Sequence, residues 1–201
     1  MATYRKSRIL PTILTVIIII VAIAGIVALV RLVVSGGSSS DNAQEVDMSQ
    51  QNLLNTSEGR AVSMTVRGPI VADEDFRSYR INISPSERKF EAFTGYLEAI
   101  TDQQTLPNNT AAYDQFVHAL DKAKLVAGTP FEGEKNNVLG ICATGRVYEF
   151  AILNGSNVDE MLWTSTCSGS PGSLRANATQ LSQLFLNQIP DGSSITQRLK
   201  L

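Results

Sequence analysis

From Ile9 to Val30 the chain runs for 22 positions without a charged side chain. A helix of that length covers about 33 Å, and the hydrocarbon core of a bilayer is about 30 Å thick. The run therefore predicts one N-terminal transmembrane helix over residues 9–34, with the lipid bilayer as its partner. Pro11 falls in the first turn, where its missing N–H costs little. Arg5, Lys6 and Arg8 precede the run, whereas beyond Arg31 the next basic residue is Arg60, with Asp41, Glu45 and Asp47 in between. The positive-inside rule then makes residues 1–8 a cytoplasmic tail and places everything after about Val34 on the extracytoplasmic side of the cell membrane. A cleaved signal peptide competes with this reading, because Ala22-Ile23-Ala24 imitates a cleavage site. Against it, the apolar stretch continues through Val30, past the usual length of about 7–15 residues. A lipoprotein needs a cysteine just past the run, and the two cysteines are Cys142 and Cys167.

Charge divides at the same boundary. Four of the 17 Lys and Arg lie at or before Arg31 and all 19 acids lie beyond it, leaving 13 cations against 19 anions outside, a net of −6. Dispersed cations among more numerous acids do not make a nucleic-acid groove. Ser35-Gly36-Gly37-Ser38-Ser39-Ser40 has the composition of a flexible linker. Residues 35–59 read as linker and stalk, with a short helix or a polar stretch between Asp41 and Asn55. Residues 60–201 are enough for one domain with its own core.

Within that domain the pattern is α+β: a mainly antiparallel sheet covered by two amphipathic helices. Ser63 to Ile70 and Arg77 to Ser84 alternate as strands. A turn at Ala72–Asp75 places Val66 opposite Ile81 and Met64 opposite Ile83. Pro85-Ser86-Glu87 signals a turn into a third strand, Lys89 to Thr94, and Tyr96 to Ile100 reads as a fourth. Asn109-Thr110 caps a helix to about Ala127, with Tyr113, Phe116, Val117, Leu120 and Ala123 on one stripe and Gly128 and Pro130 as the stop. A second helix starts near Ser173 and ends at Pro190-Asp191-Gly192. Between them Asn154-Gly155-Ser156-Asn157 signals a hairpin, whose symmetric pairing sets Tyr148 opposite Trp163 and Phe150 opposite Met161. Extended outward, this register brings Cys142 near Cys167, and an oxidising compartment then favours a disulfide between them.

Four stretches resemble a known family. Thr65-Val66-Arg67-Gly68-Pro69-Ile70-Val71-Ala72-Asp73-Glu74, Gly140-Ile141-Cys142-Ala143-Thr144-Gly145, Thr164-Ser165-Thr166-Cys167-Ser168-Gly169 and Gln188-Ile189-Pro190-Asp191 resemble single-pass envelope proteins of candidate-phyla, Saccharibacteria-type bacteria. The family has no assigned activity, so the resemblance implies location and domain extent without supplying a catalytic residue.

Chemistry-bearing residues are few. His118, the single histidine, falls off the apolar helix stripe and reads as a surface residue. One histidine and two cysteines make no zinc set of the usual composition, and Asp73-Glu74-Asp75 lacks a calcium-loop pattern around it. No metal or cofactor is expected. Ser168 to Ser173 has no Walker lysine and no Gly-x-Ser-x-Gly elbow, and reads as loop and cap. One enzyme pattern competes. Leu162-Trp163-Thr164-Ser165-Thr166-Cys167 is similar to the strand-ending cysteine motif of sortases, which implies a transpeptidase with Cys167 as nucleophile and His118 and Arg175 as partners. Here His118 sits mid-helix, and a bridge to Cys142 would consume the thiolate. The favoured expectation is a membrane-anchored, non-catalytic binding or scaffold domain of the bacterial envelope, alone or as a subunit of a larger assembly.

Overall fold

The computed structural model describes residues 48–199 and 201, so the expected span 9–34 and the linker up to residue 47 lie outside the described residues. Among the described residues no helix is long and apolar enough to cross a membrane. The described chain is α+β. It comprises α1 (Met48–Leu54), β1 (Arg60–Arg67), β2 (Arg77–Ile83), β3 (Glu87–Thr94), β4 (Ala99–Pro107), α2 (Thr110–Lys122), β5 (Val147–Asn154), β6 (Asn157–Ser165), α3 (Ala178–Leu186) and α4 (Gly192–Arg198). The six strands form one antiparallel sheet in the order β4-β3-β2-β1-β5-β6. A meander from β1 to β4 is followed by α2, which carries the chain back to a hairpin on the other side of β1.

The helices cover one sheet face. Val62, Met64 and Val66 of β1, Tyr79, Ile81 and Ile83 of β2, and Phe150 and Ile152 of β5 are buried there against Phe116, Leu120, Leu181 and Phe185. Phe185 packs edge-on to Phe116 with centroids 5.2 Å apart. α1 belongs to this core, since Leu53 is fully buried within it. The folded unit therefore reaches N-terminal to residue 60, into the stretch expected to be stalk: Leu53 is one of the apolar residues that close the helical layer.

Several local expectations shift. In the first hairpin Val66 pairs with Tyr79, Met64 with Ile81 and Val62 with Ile83. Each partner lies two residues earlier than expected, and the centre of the turn one residue earlier, because Asp73–Asp75 coil into a 3-10 turn and Gly68 N already donates to Arg77 O at 3.0 Å. A shift of two keeps every side chain on its face. The expected strand at Tyr96–Ile100 is instead a turn with left-handed Gly95 (φ 71°) and Glu98 (φ 54°), and β4 begins only at Ala99. As an edge strand exposed on both faces, β4 carries no apolar alternation.

α2 stops at Lys122, before the expected Ala127. Lys124 adopts φ 62°, Leu125 N donates to Leu120 O at 3.0 Å and Lys124 N to Asp121 O at 2.8 Å, a Schellman ending with buried Leu120 and Leu125 as its apolar contact. α3 starts at Ala178, not near Ser173. Asn177 caps it by accepting from Gln180 N at 3.0 Å, while the Ser173 hydroxyl accepts from Trp163 N at 3.1 Å on the sheet edge. α4 follows Pro190 as a further short helix.

The largest correction lies in the second hairpin. Pairing starts symmetrically at Asn154↔Asn157 and Leu153↔Val158, but Ile152 then pairs with Glu160, Phe150 with Leu162 and Glu149 with Trp163. One extra residue on β6, Asp159, bulges and reverses the faces of everything beyond it. The expected cluster of Tyr148, Phe150, Met161 and Trp163 is split. Phe150 joins the helical core, while Trp163 packs on the opposite face with Val138, Cys142 and Val147.

Candidate functional site

On the face away from the helices, the sheet carries a charged network near the end where β1 leaves. Arg67 donates through Nε to Glu149 at 2.6 Å and through Nη1 to Glu98 at 3.0 Å, and Arg80 reaches the other oxygen of Glu98 at 3.2 Å. The Arg80 guanidinium also stands 5.4 Å from the centre of the Phe93 ring. Burial works against the Arg67 charge, but Glu149 and then Glu98 outweigh it and raise its pKa. Two cations and two carboxylates compensate one another, so this network offers no net charge to a ligand.

At the end of the sheet where β1 leaves and β5 begins, a cleft of about 350 Å³ opens over Arg67 and Val147. Its walls come from three separate segments. Ile70 follows β1, Phe76 and Tyr96 flank the two neighbouring turns, and Leu139 to Cys142 belong to the long connection before β5. Each wall is fixed by its own bonds. Tyr96 stacks on Phe76 at 4.2 Å, and its backbone N donates to Asp73 Oδ1 at 2.7 Å. The opposite wall is joined to the first by Ile70 N donating to Ala143 O at 2.9 Å. Ser170 Oγ donates to Ile141 O at 3.2 Å. Behind that wall Phe131 meets Trp163 edge-on at 5.9 Å.

Cys142 and Cys167 are joined as a disulfide, Sγ to Sγ 2.06 Å and Cα to Cα 5.6 Å. The bridge pins the connection before β5 to the end of β6, and Cys142 is both a cleft residue and part of the Trp163 cluster. With both sulfurs in the bridge, neither is a free nucleophile. The partners of the competing enzyme pattern make other contacts. His118 Nε2 is 3.7 Å from Asp114 Oδ1 on the surface of α2, and Arg175 is exposed with its backbone N bonded to Ala127 O at 2.7 Å. Asp73–Asp75 form an exposed turn in which Asp73 serves as a cap for Tyr96, and among the described residues no three metal-ligating side chains converge. The Ser168–Ser173 loop closes on β6, with Ser165 Oγ donating to Ser170 O at 2.6 Å.

What the cleft presents is apolar surface. The polar groups around it are largely spent on one another, while Leu139 is 70% exposed, Leu97 at the adjoining turn 95%, and Ile70, Val71 and Tyr96 each between 41% and 46%. Exposed large apolar residues scattered singly need no explanation, but Ile70, Tyr96 and Leu139 line one cleft, and such a grouping marks an interaction site. Little marks these residues in the sequence, since they are divided among three separate turns. The available signal is Tyr96-Leu97, two large apolar residues at a hairpin tip where turn residues are expected. Comparison with family models, with curated proteins and with solved structures finds no match to this chain.

Proposed function

We propose that this protein is a membrane-anchored, extracytoplasmic binding domain of the bacterial envelope, held by residues 9–34, and that the cleft between Ile70, Tyr96 and Leu139 is its binding surface. The observation that carries the reading is the rigid apolar cleft itself. Its walls are tied by side-chain and backbone hydrogen bonds and by the Cys142–Cys167 bridge, so little ordering remains to be done when a ligand arrives. Its charged floor is internally neutralised, so recognition rests on apolar contact. A disulfide outside the membrane agrees with an oxidising compartment. The resemblance to single-pass envelope proteins points the same way.

The test is fractionation of the full chain in its own cells. The protein should stay with the membranes through an alkaline carbonate wash, and protease added to intact cells should digest the domain. A soluble product starting near Gly25 would overturn the anchor.

A further inference from the structure

The chain enters the folded unit at the cleft end of the sheet. α2 begins at the opposite end, because it follows Pro107, which pairs with Glu87 at the start of β3. Its 13 residues cover about 20 Å, and the segment after it reaches β6 near the cleft end, with Arg175 N donating to Ala127 O at 2.7 Å and Leu174 N to Trp163 O at 2.9 Å. α1 runs the other way against it, with Gln50 Nε2 donating to Asp121 Oδ1 at 2.8 Å beside the last turn of α2. Met48, 64% exposed, therefore lies toward the cleft end. Residues 35–47 separate it from the apolar segment, and 13 residues span at most about 45 Å whatever their conformation.

The cleft end thus combines a short tether with the largest exposed apolar residues of the domain, Leu97 and Leu139 foremost. Exposed charges nearby are of both signs, Asp73, Glu74 and Asp75 against Lys135 and Arg146, so they supply no net attraction to anionic headgroups and a contact there rests on apolar burial. Tyr96 supplies an amphipathic ring of the kind that settles at a membrane–water boundary. Resting on the anchored reading above, we infer that the cleft end docks on the bilayer that holds the chain. Leu97 and Leu139 enter the boundary between headgroups and acyl chains, and lipid is what covers the apolar rim.

The test uses the full chain reconstituted in phosphatidylcholine vesicles with and without dibrominated phosphatidylcholine, which quenches tryptophan at that depth. Leu97→Trp is compared with Val158→Trp, a 58% exposed position at the far hairpin tip, against the parent chain with its buried Trp163. Brominated lipid should remove about half or more of the fluorescence added by Leu97→Trp and leave that of Val158→Trp nearly unchanged. Equal quenching of both, or of neither, in a chain that floats with the vesicles overturns the docking and leaves the anchor intact. A chain that fails to float overturns the anchored reading and the docking with it.

Discussion

The hydroxyl of Tyr96 serves both backbone polar groups of Val71, accepting from its N at 3.1 Å and donating to its O at 2.7 Å. Two turns that are 25 residues apart in sequence are thereby joined, and the ring that forms the cleft wall is held in place. Tyr96→Phe keeps the stacking on Phe76 but removes both bonds. It should cost about 1–2 kcal/mol in urea unfolding, and amide exchange at Val71 should accelerate.

Leu53 makes α1 part of the domain. Leu53→Ala should destabilise it by about 2–5 kcal/mol, the usual range for a fully buried leucine. A chain beginning at Asn55 should lose at least as much. Thermal melts of the two against a chain beginning at Asp47 check this.

How far the sequence revealed the fold depended on whether periodicity was enough. The β1 and β2 alternation and the α2 stripe were legible, because each puts its large apolar residues on one face. The face swap in β6 was not, since a single bulged residue, Asp159, reverses every side chain beyond it without disturbing the apolar pattern. β4 was hidden by being an edge strand, with no apolar face to betray it. The cysteine pairing was legible from the hairpin even though the inner register was not, because both ends of the hairpin stay adjacent under a one-residue slip. The cleft was least legible of all. Ile70, Tyr96 and Leu139 lie in three unrelated turns, and only the sheet order brings them together.

Two buried tyrosines predict an alkaline limit to stability. Burial pushes the Tyr79 phenol up to about 12, with a hydrogen bond to Ser182 acting the other way, and burial pushes Tyr113 up to about 12 against the opposing charge of Arg60. The folded state thus holds these protons more tightly than the unfolded chain, whose phenols titrate near 10. Their stabilisation is complete below pH 10 and is lost as pH rises from 10 toward 12, to a limit of about 2–3 kcal/mol each. Far-UV circular dichroism through this range should show an unfolding midpoint that moves to higher pH in Tyr113→Phe.

Reduction should loosen the cleft without dismantling the sheet. The bridge closes a sequence separation of 25 residues, which corresponds to about 3–4 kcal/mol in the chain-entropy picture. Reductant should therefore lower the melting temperature by about 10 °C. New protease cuts should appear between Phe131 and Arg146, which the bridge pins, while β1 to β3 remain protected. Cuts spread evenly along the chain would show that the bridge holds the whole fold.

The redox state of Cys142 and Cys167 in protein taken directly from its own cells bears on location and chemistry together. Thiols are blocked at lysis, the protein is digested without reductant, and the cysteine peptides are read by mass spectrometry. An exported binding domain predicts the Cys142 and Cys167 peptides joined, with no blocked thiol until reductant is added. A free, rapidly blocked Cys167, with blocking slowed in His118→Ala, would contradict that account and favour a cysteine transpeptidase.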